Sequence, residues 1–162
     1  MKINIKKVLV AMAVAASALL LTAFLLTPKG DTLWETAMKG LEDMGVDTDE
    51  TEWTTLGLYA SRGGLIDSVS FKSTDIKEAK KLFSDVKLKK SFEDSADKGE
   101  RLVLKGKYDG KEVSVTVFDV SYRMLCVRFY TEGQKTKDVY YNMVKGSFPD
   151  TEEFFENYGF SY

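Results

Sequence analysis

Apolar residues first occur in this chain as an unbroken run. Residues 8–26 carry no charge, and Lys2, Lys6 and Lys7 stand just before them. As a helix the run would reach about 28 Å, close to the hydrocarbon thickness of a bilayer. Basic residues before it and Asp31 and Glu35 after it predict the amino terminus inside and the following domain outside. The expected organisation is therefore a signal-anchor or signal peptide over 1–29 and an extracytoplasmic domain over 30–162. Ala16-Ser17-Ala18 fits a small-x-small cleavage site, but a cut there leaves Leu19-Leu20-Leu21 exposed on the product. An uncleaved anchor in the cell membrane is the favoured fate, with secretion after cleavage the other.

After Pro28-Lys29-Gly30 the pattern becomes periodic. Thr32 and Glu35 form a capping box, and Trp34, Ala37, Met38, Leu41 and Met44 recur at helical spacing before Gly45. A first helix is predicted over 32–44. Strands follow over 53–60 and 65–71, around the turn Ser61-Arg62-Gly63-Gly64. Asp75 and Glu78 make a second capping box, and Ile76, Ala79, Leu82, Phe83 and Val86 line one face. The second helix is predicted over 75–86. Its outer face and end are basic through Lys77, Lys80, Lys81, Lys87, Lys89 and Lys90. These lysines are either a solvated face or a contact for anionic lipid headgroups or wall polymers.

A polar loop over 91–99 leads to strands over 100–108 and 111–118. They flank Asp109-Gly110, whose type I′ turn needs positive φ at both positions. A further strand over 122–131 is partly apolar on both faces, which marks it as central. Val139, Tyr140, Met143 and Val144 predict a third helix over 135–145, stopped by Gly146. Pro149-Asp150 with Glu153 predicts a short helix ending near Asn157. The aromatic tail (Phe154, Phe155, Tyr158, Phe160, Tyr162) is expected to pack into the core, with a partner-binding edge as the alternative. The expected fold class is α+β: an N-terminal membrane helix, then one domain with a mostly antiparallel sheet of about five strands and three to four helices packed on it.

Composition narrows the chemistry. All 25 acidic residues follow Thr27, and three of the 23 basic ones precede it, so the domain carries 20 − 25 = −5. An acidic domain is a poor polyanion binder, so no nucleic-acid partner is expected. Histidine is absent. That excludes His general bases, Ser–His and Cys–His nucleophile pairs and His metal sites. The single cysteine, Cys126, permits no internal disulfide, and its apolar strand-like surroundings predict a buried side chain.

The motifs that remain are weak. The acidic stretch Asp47 to Glu52 fails the helix–loop–helix calcium pattern, with Glu52 where glycine is required and Leu58 where the bidentate glutamate belongs. No GxxxxGK or GxGxxG surrounds Gly63-Gly64. Ser84-x-x-Lys87 matches a Ser/Lys nucleophile spacing, but a lysine base needs a depressed pKa, usually from burial. No catalytic, cofactor-binding or metal residue is assigned, and no cofactor is expected.

The expected function is a membrane-anchored or exported non-enzymatic binding domain of the cell envelope, tied to the membrane through residues 8–26 and facing an envelope protein partner. The alternatives are a small-molecule or lipid carrier and a carboxylate-dependent extracytoplasmic hydrolase. Contact regions for a partner are the Gly63-Gly64 turn, the lysines of the second helix and the aromatic tail.

Overall fold

The computed structural model describes residues 29–60, 64–70, 76–95, 98–149, 151, 154–156 and 160–161, together with Met12. Strand β1 (Asp31–Thr32) runs straight into helix α1 (Leu33–Glu42). The capping box forms as expected. The Glu35 N–H donates to Thr32 Oγ1, and the Thr32 N–H donates to the Glu35 carboxylate at 2.7 Å. The Thr32 hydroxyl donates to the same carboxylate at 2.9 Å, and the Thr32 N–H, ahead of this hydroxyl, holds the Glu35 carboxyl below its ordinary pKa. Leu33, Ala37 and Leu41 then fall on one fully buried stripe.

Strands β2 (Glu52–Tyr59) and β3 (Leu65–Ser70) pair as an antiparallel hairpin. Helix α2 spans Lys77–Ser84 and buries Ala79 and Phe83. Strand β4 (Lys87–Lys90) follows, then the meander β5 (Arg101–Tyr108), β6 (Lys111–Ser121), β7 (Met124–Thr131) and β8 (Lys137–Lys145), and finally β9 (Phe160–Ser161). The strand order is β1-β4-β8-β7-β6-β5-β2-β3-β9, antiparallel throughout. Asp109 and Gly110 take φ of 50° and 71°, the paired positive values that close the β5–β6 hairpin.

The expected fold is corrected in three respects. The sheet has nine strands where about five were expected, and the described helices are α1, α2 and one turn at 154–156. The predicted third helix over 135–145 is strand β8. Val139, Tyr141 and Met143 also alternate at period two, and pairing with β7 on one side and β4 on the other completes both hydrogen-bond ladders. The predicted second helix stops at Ser84, and Lys87, Lys89 and Lys90 lie on β4. Asp75 of its predicted cap lies outside the described residues, and at the observed N-terminus Ile76 makes no side-chain capping bond. The predicted N-terminal membrane helix also lies outside the described residues apart from Met12. Among the described residues no helix is long and apolar enough to cross a membrane.

Both helices belong to one face of the sheet. There Leu56, Leu102, Leu104, Val113, Val115, Val117, Leu125, Val127 and Phe129 form a continuous buried layer with the apolar stripes of α1 and α2. Cross-strand register explains the continuity: Leu56, Leu104, Val115 and Phe129 are successive partners across β2, β5, β6 and β7.

Candidate binding groove

Helix α1 crosses β7 at very short range. A Cβ on Gly40 would lie 2.1 Å from the Phe129 ring, so only glycine lets the helix sit this low on the sheet. Beside this contact, towards β8 and β4, the sheet is left partly uncovered, and a groove of about 330 Å³ opens. Its floor is apolar and aromatic: Leu88, Phe129, Val139 and Tyr141. Its rim is charged with both signs. Lys39 and Asp43 come from α1 and the residue after it, Asp31 and Lys90 from β1 and β4, and Lys137 from β8.

The Lys137 ammonium stands 3.9 Å from the Asp43 carboxylate, with both side chains about half exposed. Such a pair is worth little and opens readily. Burial, then the charges of Asp43 and Asp31, push the Tyr141 hydroxyl above its ordinary pKa. Tyr141 therefore stays a neutral phenol at physiological pH. An apolar floor with a few convergent polar groups is the usual make-up of a binding cleft. A shallower and more open cleft of about 610 Å³ lies on the other side of α1, lined by Trp34, Glu35, Met38, Glu42 and Lys80 among others.

The opposite face of the sheet carries the strongest electrostatic cluster. Arg128 on β7 grips Asp138 on β8 through two bonds of 2.7 and 2.8 Å, and Lys98 reaches the same carboxylate at 2.8 Å. The Arg128 bonds, resisted by burial and reinforced by Lys98, lower the Asp138 pKa to about 2. Lys98 also stands over the Phe118 ring at 4.6 Å, and Arg128 at 5.2 Å. The stretch after β4 is tied to β8 at Ser91 and Ser95 and to β6 at Gly99. Cys126, on β7 between these ties and beside Lys98 and Tyr140, is fully buried, as expected. Burial, ahead of any neighbouring charge, pushes the Cys126 thiol up. Every charged group of this cluster already has a protein partner, so its arrangement is that of a clasp.

The contact regions read from sequence are scattered by the fold. Gly63 lies outside the described residues, while Gly64 accepts a hydrogen bond from Ala60 beyond β2. Lys77, Lys80 and Lys81 are exposed on α2, apart from the β4 lysines. Of the aromatic tail, Phe154 and Phe155 are buried in the core, and Phe160 pairs with Ser68. Tyr158 and Tyr162 lie outside the described residues. The Ser84 hydroxyl donates to Lys80 O at 2.6 Å, one turn back in its own helix, and Lys87 is on β4. Among the described residues no group of three acidic or cysteine side chains could hold a metal ion.

Asp119 is pushed up by burial and then by the charge of Glu100, with which it is directly hydrogen-bonded through the backbone. Neither groove above is lined by this carboxylate pair. Sequence reasoning missed the groove because its walls come from three distant segments. It missed the Arg128–Asp138 pair because 135–145 looked helical. Treated as a strand folding back after Gly133, that segment would have set Asp138 opposite Arg128. The chain matches no protein-family model, no curated protein and no solved structure.

Proposed function

We propose that residues 30–162 form a non-enzymatic binding domain of the cell envelope, kept at the membrane through residues 8–26 with the domain outside. Its binding site is the groove between α1 and strands β8 and β4, and its occupant is a segment of a protein partner. The observation that carries this reading is the groove itself, with an aromatic floor and rim charges of both signs. A peptide segment offers apolar side chains for Phe129, Val139 and Tyr141, and charges for Lys39, Lys90 and Asp31. The weak Lys137–Asp43 pair can exchange for charges on the partner at small cost. The absence of histidine from the sequence supports a binding role over His-based catalysis.

Site-specific photocrosslinking tests this in native membranes. A photoreactive residue replacing Lys137 at the groove rim is expected to capture one partner near stoichiometrically. The same residue replacing Lys107, on the distant β5 strand, is expected not to. Equal capture from both positions, or none from the groove, would refute the assignment. A lipid or glycan adduct at the groove in place of protein would turn the reading into that of a carrier.

A further inference from the structure

The chain leaves the predicted membrane segment and enters the fold at one edge of the sheet. Only residues 27–30 separate Leu26 from β1, and an extended chain spans at most about 3.5 Å per residue. The end of that tether is fixed. Asp31 pairs with Leu88 and Thr32 with Lys87 on β4, and a Cβ on Gly30 would lie 2.5 Å from Leu88 O. The β4 edge therefore stays within roughly 20–25 Å of the point where the apolar run ends.

That edge is basic. Lys29 and Lys89 are exposed, Lys87 is half-buried, and Lys87 pairs across the ladder with exposed Lys145. Lys90 continues the strand to the groove rim. Glu35 lies near Lys87, and Asp31 is in the same register. Asp85, exposed just before β4, is a third carboxylate beside this edge, and the five lysines outnumber the three in a domain whose overall charge is −5. Two lysines directly opposite one another on neighbouring strands repel, and an anion beside them relieves that repulsion.

We infer that the β1–β4–β8 edge, through Lys87, Lys89 and Lys145, docks on the anionic lipid headgroups of the membrane that holds the chain, and so orients the groove beside the bilayer. This rests on the membrane tether proposed above. Juxtamembrane lysines are attracted to anionic headgroups over about a Debye length, 8–10 Å, and so short a tether lets β4 come within that range. Lysines near a sheet edge also discourage edge-to-edge pairing between molecules, but that role is indifferent to lipid charge.

The test uses the full chain reconstituted into vesicles of phosphatidylcholine alone, or with about one third phosphatidylglycerol. A water-soluble amine-acylating reagent is applied, and each lysine is read by mass spectrometry. Labelling of Lys89 and Lys145 is expected to slow several-fold in the anionic vesicles. Lys107 and Lys111, at the β5–β6 hairpin about 15–20 Å across the sheet, are expected to label equally in both. High salt, or the double variant Lys89→Glu/Lys145→Glu read at Lys87, should remove the difference. Equal labelling of Lys89 and Lys145 in both vesicles overturns the proposal, as does equal slowing at Lys107. An alkaline carbonate wash separates the two layers of the argument. Retained protein without charge-dependent protection sinks the docking edge alone, whereas extracted protein sinks the tether and the docking edge with it.

Discussion

On one face of the sheet, Leu104, Val115, Val127 and Phe129 are buried beneath two helices; on the other, Phe118 and Cys126 are also buried, with no helix above them among the described residues. The first face is closed chiefly by apolar contact, with polar ties only at the helix ends. The second is closed by the loop after β4, fastened by Tyr140 to Ser95 O and by Lys98 and Arg128 to Asp138. A nine-stranded sheet has more surface than two helices of ten and eight residues can cover. The interior strand β7 is partly apolar on both sides, so its second side needs another cover. The two covers should fail differently, because apolar burial responds to volume whereas a charged clasp responds to pH and salt.

The largest expected effect is on the helix-covered face. Phe129→Ala should cost about 3–5 kcal/mol, read as a lower urea midpoint. Gly40→Ala should cost about 1–3 kcal/mol by overpacking against Phe129. In the Phe129→Ala background its cost should nearly vanish, because the clashing ring is gone. Strictly additive costs would refute the close approach of α1.

On the clasp face, Asp138→Ala should cost less, about 1–2 kcal/mol, since the Arg128 side chain is 39% exposed and solvent screens the pair. Its signature is local. Cys126 should react several-fold faster with a thiol reagent, while Phe129→Ala, although the more destabilised variant, should not unmask it selectively under native conditions. Unchanged Cys126 reactivity in Asp138→Ala would show that the loop is held by something else.

The pH dependence belongs to the clasp. The folded-state pKa of Asp138, about 2, lies below the unfolded value of roughly 3.9. Its contribution is therefore complete above pH 4 or so and is lost as pH falls through about 2. In Asp138→Asn the decline of the urea midpoint between pH 4 and pH 2 should be shallower than in the parent. Parallel curves would contradict the assignment.

The smallest effect has the opposite sign. Burial and Glu100 raise Asp119, so its folded pKa exceeds its unfolded one, and its contribution is lost as pH rises through the folded pKa. Asp119→Asn should raise stability at neutral pH by less than about 0.5 kcal/mol. A net loss in denaturant titration would mean that Asp119 serves a polar contact that the carboxylate alone can make.

Local rules were legible wherever the answer depended on a few neighbouring residues. Thr32 and Glu35 announced α1, Asp109-Gly110 announced the β5–β6 hairpin, and the two-sided apolar pattern of 122–131 marked the central strand. A cap or a type I′ turn is satisfied within four residues, so sequence alone determines it. Period alone could not decide 135–145, because Val139, Tyr140, Met143 and Val144 fit a helical face while Val139, Tyr141 and Met143 fit a strand. Two free ladders on β7 and β4 decided it, and both lie elsewhere in the chain. The same long-range pairing turned lysines that looked like a helix end into a strand between β1 and β8, beside the chain entry. It also gathered Lys98, Arg128 and Asp138 from three segments, and Leu88, Phe129 and Tyr141 into one groove floor. Hydrophobic spacing states that a residue will be buried, but the partner that buries it is set only when distant strands come into register.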